Sequence, residues 1–172
     1  RVVSPRLILK GKHMANDTDL ERVWGLIDRI GFCMLASRDG NDIRSRPMSA
    51  QARPADNAIY FLTDVNNHKD DEIKSYPEIC LAFADAGDQK YVSLSGRAEI
   101  SNDRALIEEL WSIPAKAWWD GPDDPSIRVL KFTPKDAQYW DSPGTVASYI
   151  SMVAAAFTDA RPAVGKQAKV RM

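Results

Sequence analysis

Strand-length segments that follow one another through short turns constrain the fold of this chain most. Residues 32–37 are apolar and strand-length, and the Asp39-Gly40 pair after them is typical of a tight hairpin turn. Residues 43–53 predict a second strand, and residues 58–63, which are rich in β-forming side chains, predict a third. Because no helix separates these strands, the pattern argues against a doubly wound parallel sheet and favours an antiparallel one.

The rest of the chain adds three more strands and four helices. The further strands are predicted over residues 79–84, 90–101 and 127–133, and residues 138–140 are predicted to extend the last of these past Pro134. The helices are predicted over residues 19–30, 70–75, 103–111 and 146–157. Residues 112–126 contain three prolines and form one long irregular connection, of the kind that is functional or disordered in compact domains. The expected fold class is therefore α+β and β-rich, an antiparallel barrel or sandwich with peripheral helices.

The charge balance excludes several functional classes. The 172 residues include 23 Lys and Arg against 24 Asp and Glu, so no overall basic field points to nucleic acid or an anionic membrane as a partner. The longest apolar stretch, residues 152–157, is far shorter than the ~20 residues that span a bilayer. Cys33 and Cys80 are the only cysteines and lie in apolar runs, which is typical of reduced thiols in a cytoplasmic protein.

Residues 1–13 differ in composition from the rest of the chain. They carry four Lys or Arg and no acidic residue, and Met14 after them resembles a natural start. We expect residues 1–13 to be a disordered leader or a remnant of an expression vector. Residues 14–172 are expected to form a single domain.

The residues of most catalytic sites are missing from the sequence. The only histidines are His13 and His68, so a His-based triad or a multi-His metal site lacks the side chains it needs. No CxxC, HExxH or GxxxxGK[ST] motif occurs. A hydrolase with its own nucleophile and a metal centre are therefore not expected, and the pattern assigns no catalytic residue.

Two arginines stand out on the predicted second strand. Alternation along a strand places Arg44 and Arg46 on the same face, about 7 Å apart. Like charges this close repel each other unless an anion lies between them, and the planar guanidinium group is well suited to a phosphate. The alternative is that both side chains lie on the solvent face and pair with nearby acidic residues.

The end of the third strand adds further hydrogen-bond donors. Thr63 ends this strand, and the loop after it carries Asn66, Asn67, His68 and Lys69. We expect Thr63 to lie next to Arg44 and Arg46, so that cations and neutral donors converge on one phosphate. Pro47 has no N–H for a ladder, which places it on an edge strand or at a bulge, where backbone can face a ligand. The pattern indicates a site for a phosphate-bearing small molecule.

Tryptophans are concentrated in the C-terminal part of the chain, at Trp111, Trp118, Trp119 and Trp140. Trp118 and Trp119 fall in the Pro-rich connection 112–126, where large apolar rings are not expected to stay in water. Trp111, at helical spacing, is typical of a core residue, whereas Trp118 and Trp119 either close a subunit interface or flank a flat aromatic ligand. A flat ring with a phosphate fits FMN better than a dinucleotide, because the chain has no GxGxxG motif.

Four short motifs together resemble the general stress protein 26 branch of the pyridoxamine 5'-phosphate oxidase-like FMN-binding split barrels. They are Arg-Ser-Arg-Pro-Met at 44–48, Tyr-Phe-Leu-Thr at 60–63 with Lys69 six residues later, Val-Ser-Leu-Ser-Gly-Arg-Ala-Glu at 92–99 and Ala-Trp-Trp-Asp-Gly-Pro-Asp-Asp-Pro at 117–125. The likeness covers about residues 17 to 172. It implies a six-stranded antiparallel split β-barrel with peripheral helices, and a homodimer with FMN at the subunit interface.

The resemblance also implies roles for individual residues. Arg44 or Arg46 and Lys69 would hold the FMN phosphate, assisted by Thr63 and His68. The ring would be contacted by the backbone from Ser45 through Pro47 to Met48 and by Tyr91, Trp119 and Trp140. The two tryptophans would approach the ring from the second subunit.

One departure from the family limits the function that the resemblance implies. The true oxidases carry a C-terminal arginine and histidine that bind the phosphate ester of vitamin B6, and this chain has no histidine beyond His68. Oxidation of pyridoxamine phosphate is therefore not expected. The resemblance implies a flavin-dependent oxidoreductase of unknown substrate. The alternatives are an FMN-binding or buffering stress protein without turnover, and a binder of another planar anionic cofactor such as F420 or haem.

Overall fold

The computed structural model describes residues 17–66, 69–143 and 165–172. The predictions for residues 1–13, for His68 and for a helix over 146–157 fall outside the described residues. Within them lie the helices α1 (Asp17–Ile30), α2 (Lys69–Ser75) and α3 (Arg104–Leu110). The strands are β1 (Phe32–Asp39), β2 (Asp42–Ser49), β3 (Gln51–Arg53), β4 (Ala58–Asp64), β5 (Glu78–Asp85), β6 (Lys90–Ser101), β7 (Ile127–Asp141) and β8 (Lys166–Arg171).

Local signals in the sequence set the ends of several elements. Helix α1 ends at Gly31, which adopts φ +69° and donates its N–H to Ile27 O at 2.9 Å. Helix α3 begins after Asp103, whose carboxylate accepts a hydrogen bond from Leu106 N at 3.1 Å. Gly40, with φ +60°, lies in the tight turn between β1 and β2. None of the described helices is long and apolar enough to cross a membrane.

The strands form one antiparallel sheet in the order β2-β1-β5-β6-β7-β4-β3. Strand β8 pairs with the C-terminal half of β7, and β4 pairs with the N-terminal half. Strands β2 and β3 stand at opposite ends of this order, yet only Ala50 separates them in the chain. The sheet must therefore curl until its two ends meet. Because β2 and β4 share no ladder in the described chain, the curled sheet stays open along a seam between them, as in a split barrel.

The β-rich antiparallel fold is confirmed, and two details of the prediction change. The predicted second strand, 43–53, breaks at Ala50 into β2 and β3, and the Ala50 N–H donates to Gly31 O at 2.8 Å as the chain passes across the seam. Strand β8 was not predicted, so this strand and the break at Ala50 together give eight strands among the described residues in place of the expected six. The predicted extension of the last strand past Pro134 is confirmed as far as Asp141, because the register shift opposite Gly96 accommodates Pro134, which has no N–H to donate.

Apolar side chains fill the inside of the curled sheet, and α1 covers one end of it. Leu35, Phe61, Leu94 and Phe132 are each fully buried there, with Ile27 of α1 packed against them. A second cluster lies under α3 and includes Tyr60, Ile107, Leu110 and Val129. The core thus holds β2 and β4 in fixed positions on the two sides of the seam.

Charged side chains tie α1 to the C-terminal half of the sheet. Asp141 accepts from Lys90 Nζ at 2.6 Å and from Arg22, and Asp19 accepts from Tyr139 Oη at 2.7 Å and from Lys166. Burial opposes ionisation of Asp141, but the hydrogen bonds from Lys90 and Arg22 outweigh it and hold its pKa below the usual range. These pairs link α1, β6, β7 and β8.

Candidate functional site

Arg44 and Arg46 differ in burial although they lie on the same face of β2. The Arg44 side chain is 60% exposed and pairs with Asp39 at 3.2 Å. The Arg46 side chain is 21% exposed, and its Nη2 donates to Glu72 Oε2 at 2.5 Å and to Ser37 Oγ at 2.8 Å. Ser37 Oγ also donates to the same Glu72 oxygen at 2.8 Å. Helix α2 therefore holds the Arg46 guanidinium in place.

Both arginines line one cleft of about 710 Å³ beside the first half of β2, which we call the arginine cleft. Its lining is formed by Asp39, Gly40, Arg44, Ser45, Arg46, Asp71, Glu72, Ser75 and Tyr76. Two guanidinium groups face three carboxylates here. An anion that enters this cleft must therefore replace carboxylate partners of the arginines, or add donors that the Arg46 pairings leave free.

A second cleft of about 600 Å³ lies beside the second half of β2, at the seam with β4, and we call it the tryptophan cleft. Its lining includes Pro47, Met48 and Ser49 of β2, Leu62, Thr63 and Asp64 of β4, and Phe32, Gln51, Ser112, Pro114, Ala115, Trp118 and Trp119. A volume of this size is in the range of small-molecule sites. Its apolar and aromatic walls suit a flat ring.

The Thr63 side chain is 2% exposed, and its Oγ1 has no hydrogen-bond partner within the described parts of the chain. A buried hydroxyl that stays unsatisfied costs about 1–3 kcal/mol. Such an atom at the wall of a cleft is a reason to expect a polar ligand group beside it. Thr63 is therefore the strongest single indication of a ligand in the tryptophan cleft.

Asp64 connects the end of β4 to the Pro-rich connection. Its carboxylate accepts from Asn66 N at 2.7 Å, from Ser126 Oγ at 3.1 Å and from the Trp119 side chain. The hydrogen bond from the Asn66 backbone, helped by those from Ser126 and Trp119, lowers the pKa of Asp64 and keeps it ionised. The tryptophan cleft therefore carries a negative charge at its rim.

Residues 112–126 are ordered, and Arg104 of α3 holds their far end. The Arg104 guanidinium donates to Asp124 O at 2.8 Å and to Pro122 O and Pro125 O at 3.4 Å each. Trp119 packs against the cluster under α3, whereas Trp118 is 80% exposed. The connection is therefore a fixed wall of the tryptophan cleft.

Tyr91 and Trp140 lie on a different part of the molecule. They are directly opposite each other on β6 and β7, on the outer face of the sheet, and line neither cleft. The same face carries Met34 and Ala82, which are cross-strand neighbours, and Met34 is 43% exposed. The outer face therefore presents apolar side chains to solvent at Met34 and Tyr91.

Within one copy of the chain, the predicted site residues lie in three separate places. The arginine cleft is lined by Arg44, Ser45 and Arg46, and the tryptophan cleft is lined by Pro47, Met48, Thr63 and Trp119. The outer face carries Tyr91 and Trp140. Lys69 begins α2, and His68 lies outside the described residues. Thr63 lines the same cleft as Pro47 and Met48, whereas Arg44 and Arg46 line the other cleft.

Sequence reasoning missed the residues that hold the site together. Glu72 and Ser37 fix Arg46, and Asp64 and Arg104 fix the Pro-rich connection. The Asp64-Val65-Asn66 sequence has the spacing of a side-chain-capped turn, which was a local signal for Asp64. The contacts of Glu72 and Arg104 join segments that are distant in the sequence, and no local sequence pattern predicts such contacts. Among the described residues, no cluster of three or more His, Cys, Asp or Glu could hold a metal ion.

Comparison with known proteins gives consistent results. The sequence model described as "Pyridoxamine 5'-phosphate oxidase like" matches residues 18–163. General stress protein 26 of Bacillus subtilis (strain 168) is 35% identical over 85 residues, which is 45% of this chain and 58% of that protein. The matched segment thus spans little more than half of that relative's length.

Two solved structures resemble this fold. A crystal structure described as general stress protein 26 from Jannaschia sp. CCS1 is 31% identical, has a TM-score of 0.73, and is matched over 91% of this chain and all of that one. The general stress FMN/FAD binding protein of Xanthomonas citri is 26% identical, with a TM-score of 0.65, over 73% of this chain and 90% of that one. The match over residues 18–163 and these likenesses show that the chain belongs to the pyridoxamine 5'-phosphate oxidase-like family and is similar to general stress proteins.

Proposed function

We propose that this protein binds FMN along β2 and is a flavin-dependent oxidoreductase. The flavin ring would occupy the tryptophan cleft and the phosphate the arginine cleft. The observation that carries the proposal is the buried Thr63 hydroxyl, which lines a cleft of small-molecule size and has no described partner. A flavin offers carbonyl and ring-nitrogen acceptors to such a hydroxyl, so the residues present fit this group.

The order of side chains along β2 supports this orientation. Arg44 and Met48 are four residues apart, or about 13 Å along a strand, so β2 presents cationic donors at one end and an apolar wall at the other. The ionised Asp64 at the rim of the tryptophan cleft repels a phosphate there. An elongated ligand with an anionic end and a flat end is therefore expected to bind in one orientation.

We further propose that the protein is a homodimer joined through the outer face of the sheet, with the FMN site at the interface. Phe32 and Pro47 line the tryptophan cleft, and Pro47 is the cross-strand neighbour of Met34 on the outer face. The cleft and the outer face are thus continuous. A second copy packed on this face would cover the exposed Phe32 and Met34 and would add Tyr91 and Trp140 to a site that one copy leaves open.

FMN supplies the redox chemistry when it is bound, and the protein supplies orientation and electrostatics. In this chain, Arg46 would bind the phosphate, Thr63 would donate to the ring system, and Met48 and Trp119 would keep water from its faces. The family resemblance favours turnover. One observation favours an FMN-storing protein without turnover: within the described ranges, Asp64 is the only acidic residue that lines the tryptophan cleft, and its hydrogen bonds keep it ionised.

Titration of the purified protein with FMN tests the proposal. We expect one FMN per chain, with the flavin absorbance bands shifted and the flavin fluorescence changed on binding. Failure of the folded protein to bind FMN would refute it. Anaerobic addition of NADH or NADPH to the FMN-loaded protein then separates the two functions, because bleaching of the flavin bands indicates an oxidoreductase, and a flavin that these donors leave unreduced favours the storing protein.

A further inference from the structure

Trp118 and Ile113 are the two most exposed large apolar side chains of the segment 112–126, at 80% and 83% exposure. Of these two side chains, only Trp118 lines the tryptophan cleft. Because it is exposed and also lines the cleft, the indole ring lies at the mouth of the proposed flavin site, which Thr63 and Met48 line as well. An apolar ring left in water at the mouth of a cleft is a candidate contact for a ligand.

The position of Trp118 is fixed by its neighbours in the chain. Trp118 N and Trp119 N both donate to Ala115 O, at 2.9 and 3.1 Å. The Trp119 side chain donates to Asp64, and Arg104 holds the carbonyl groups near the end of the segment. These contacts hold the backbone of Trp118, so its indole ring is presented to the cleft from a fixed backbone position.

The charges around this mouth select the kind of ligand. Among the residues that the structure describes, Asp64 is the only ionisable side chain lining the tryptophan cleft, and its hydrogen bonds keep it negatively charged. The guanidinium groups line the other cleft. The mouth therefore disfavours an anion and offers a flat apolar face.

We propose that Trp118 is a specificity-determining residue that stacks on an uncharged, planar aromatic substrate at the mouth of the flavin site. This inference rests on the proposed function, because it places the substrate beside bound FMN. It extends that function by naming the substrate class. Indole stacking contributes most to a ligand that is flat and desolvated, so a saturated ring of similar polarity is bound more weakly.

The test uses the FMN-loaded, oxidised protein and 1,4-naphthoquinone as the probe, with binding followed through the flavin absorbance and tryptophan fluorescence. Because the flavin is oxidised, no electrons are transferred and only binding is measured. We expect Trp118→Ala to weaken binding about tenfold, and Trp118→Phe to retain most of it. Ile113→Ala is the matched control, because Ile113 is equally exposed on the same segment and lies outside the cleft; it is expected to leave binding unchanged. A sulfonated naphthoquinone is expected to bind more weakly than the neutral one.

Several results would overturn this inference and leave FMN binding intact. Equal effects of Trp118→Ala and Ile113→Ala would show a nonspecific apolar surface. A change in the molecular mass of the Trp118→Ala protein in solution would show that Trp118 is a contact between copies of the chain. Equal or tighter binding of the sulfonated probe would refute the uncharged substrate class. If neither the unmodified protein nor any variant takes up FMN, the proposed function is refuted as well.

Discussion

At the scale of single residues, Arg46 and Thr63 are in opposite situations. The Arg46 guanidinium is already held by Glu72 and Ser37, whereas the buried Thr63 hydroxyl has no described partner. A fixed cation can bind an anion without first losing side-chain entropy. An unsatisfied hydroxyl destabilises the protein until a ligand satisfies it. Both residues therefore favour the state with a ligand bound.

Removing Arg46 should weaken FMN binding. We expect Arg46→Ala to cost about 1.5–3 kcal/mol of binding free energy, the range of hydrogen bonds to charged groups. Calorimetric titration with FMN measures it. The matched control is Arg29→Ala, because Arg29 is 52% exposed, lies on α1, pairs with Asp85 and Asp88 and lines neither proposed cleft. Equal affinities of the two variants would place the phosphate elsewhere.

Replacing Thr63 by Val should separate stability from binding. The change removes the unsatisfied Oγ1 and keeps a similar shape, so we expect the free energy of unfolding without ligand to rise by up to about 1 kcal/mol. FMN binding should weaken by about 0.5–1.5 kcal/mol, because the donor is lost. Urea unfolding and FMN titration measure the two effects. A clear loss of stability with unchanged FMN affinity would contradict this role of Thr63.

At the scale of elements, the ion pairs and hydrogen bonds of Asp141 and Asp19 join helix α1 to the C-terminal strands of the sheet. Asp141 links α1, β6 and β7, and Asp19 links α1 to β8. The Asp141 side chain is 13% exposed, so its pairs are little screened by solvent. These contacts keep β8 beside β7, next to the strand that carries Trp140.

The pairs of Asp141 should make stability depend on pH. Because its pKa is lower in the folded protein than its ordinary value of 3.8, the stabilisation is present above that value and is lost as the pH falls through the folded pKa. We expect Asp141→Asn to cost about 1–3 kcal/mol at pH 7, and the difference from the unmodified protein to shrink below about pH 4. Urea unfolding at pH 7, 5 and 3 measures it. A difference that stays constant with pH would show that ionisation of Asp141 plays no part.

Local patterns predicted the elements well and their junctions poorly. The Asp39-Gly40 turn, the Asp103 cap and the bounds of β6 follow from neighbouring residues, and the sequence revealed all three. The break at Ala50 and the pairing of β8 depend on how the sheet closes, which no short window contains. For the same reason, Arg44 and Arg46 could be singled out, whereas Glu72 and Arg104 could not.

At the scale of the whole molecule, the outer face of the sheet is the surface that most needs a partner. Phe32 is 62% exposed and Met34 is 43% exposed. Ala82, which has a small side chain, lies between Met34 and Ser93 in the cross-strand register. Exposed apolar surface of this kind is characteristic of subunit interfaces.

A charge placed on this face should separate the proposed dimer. We expect the unmodified protein to sediment at twice the 19.2 kDa of the chain, and Ala82→Arg to sediment as a monomer and bind FMN more weakly. Ala55→Arg is the control, because Ala55 is also exposed and lies after β3, away from the outer face. If the Ala82→Arg protein remains a dimer, another surface joins the subunits.

The most direct test of the central claim is a crystal structure of the protein with FMN. The account predicts the phosphate within hydrogen-bonding distance of Arg46 and the flavin ring against Met48, with a ring acceptor beside the Thr63 hydroxyl. A phosphate bound next to Thr63 and Asp64, or a ring outside the tryptophan cleft, would contradict it.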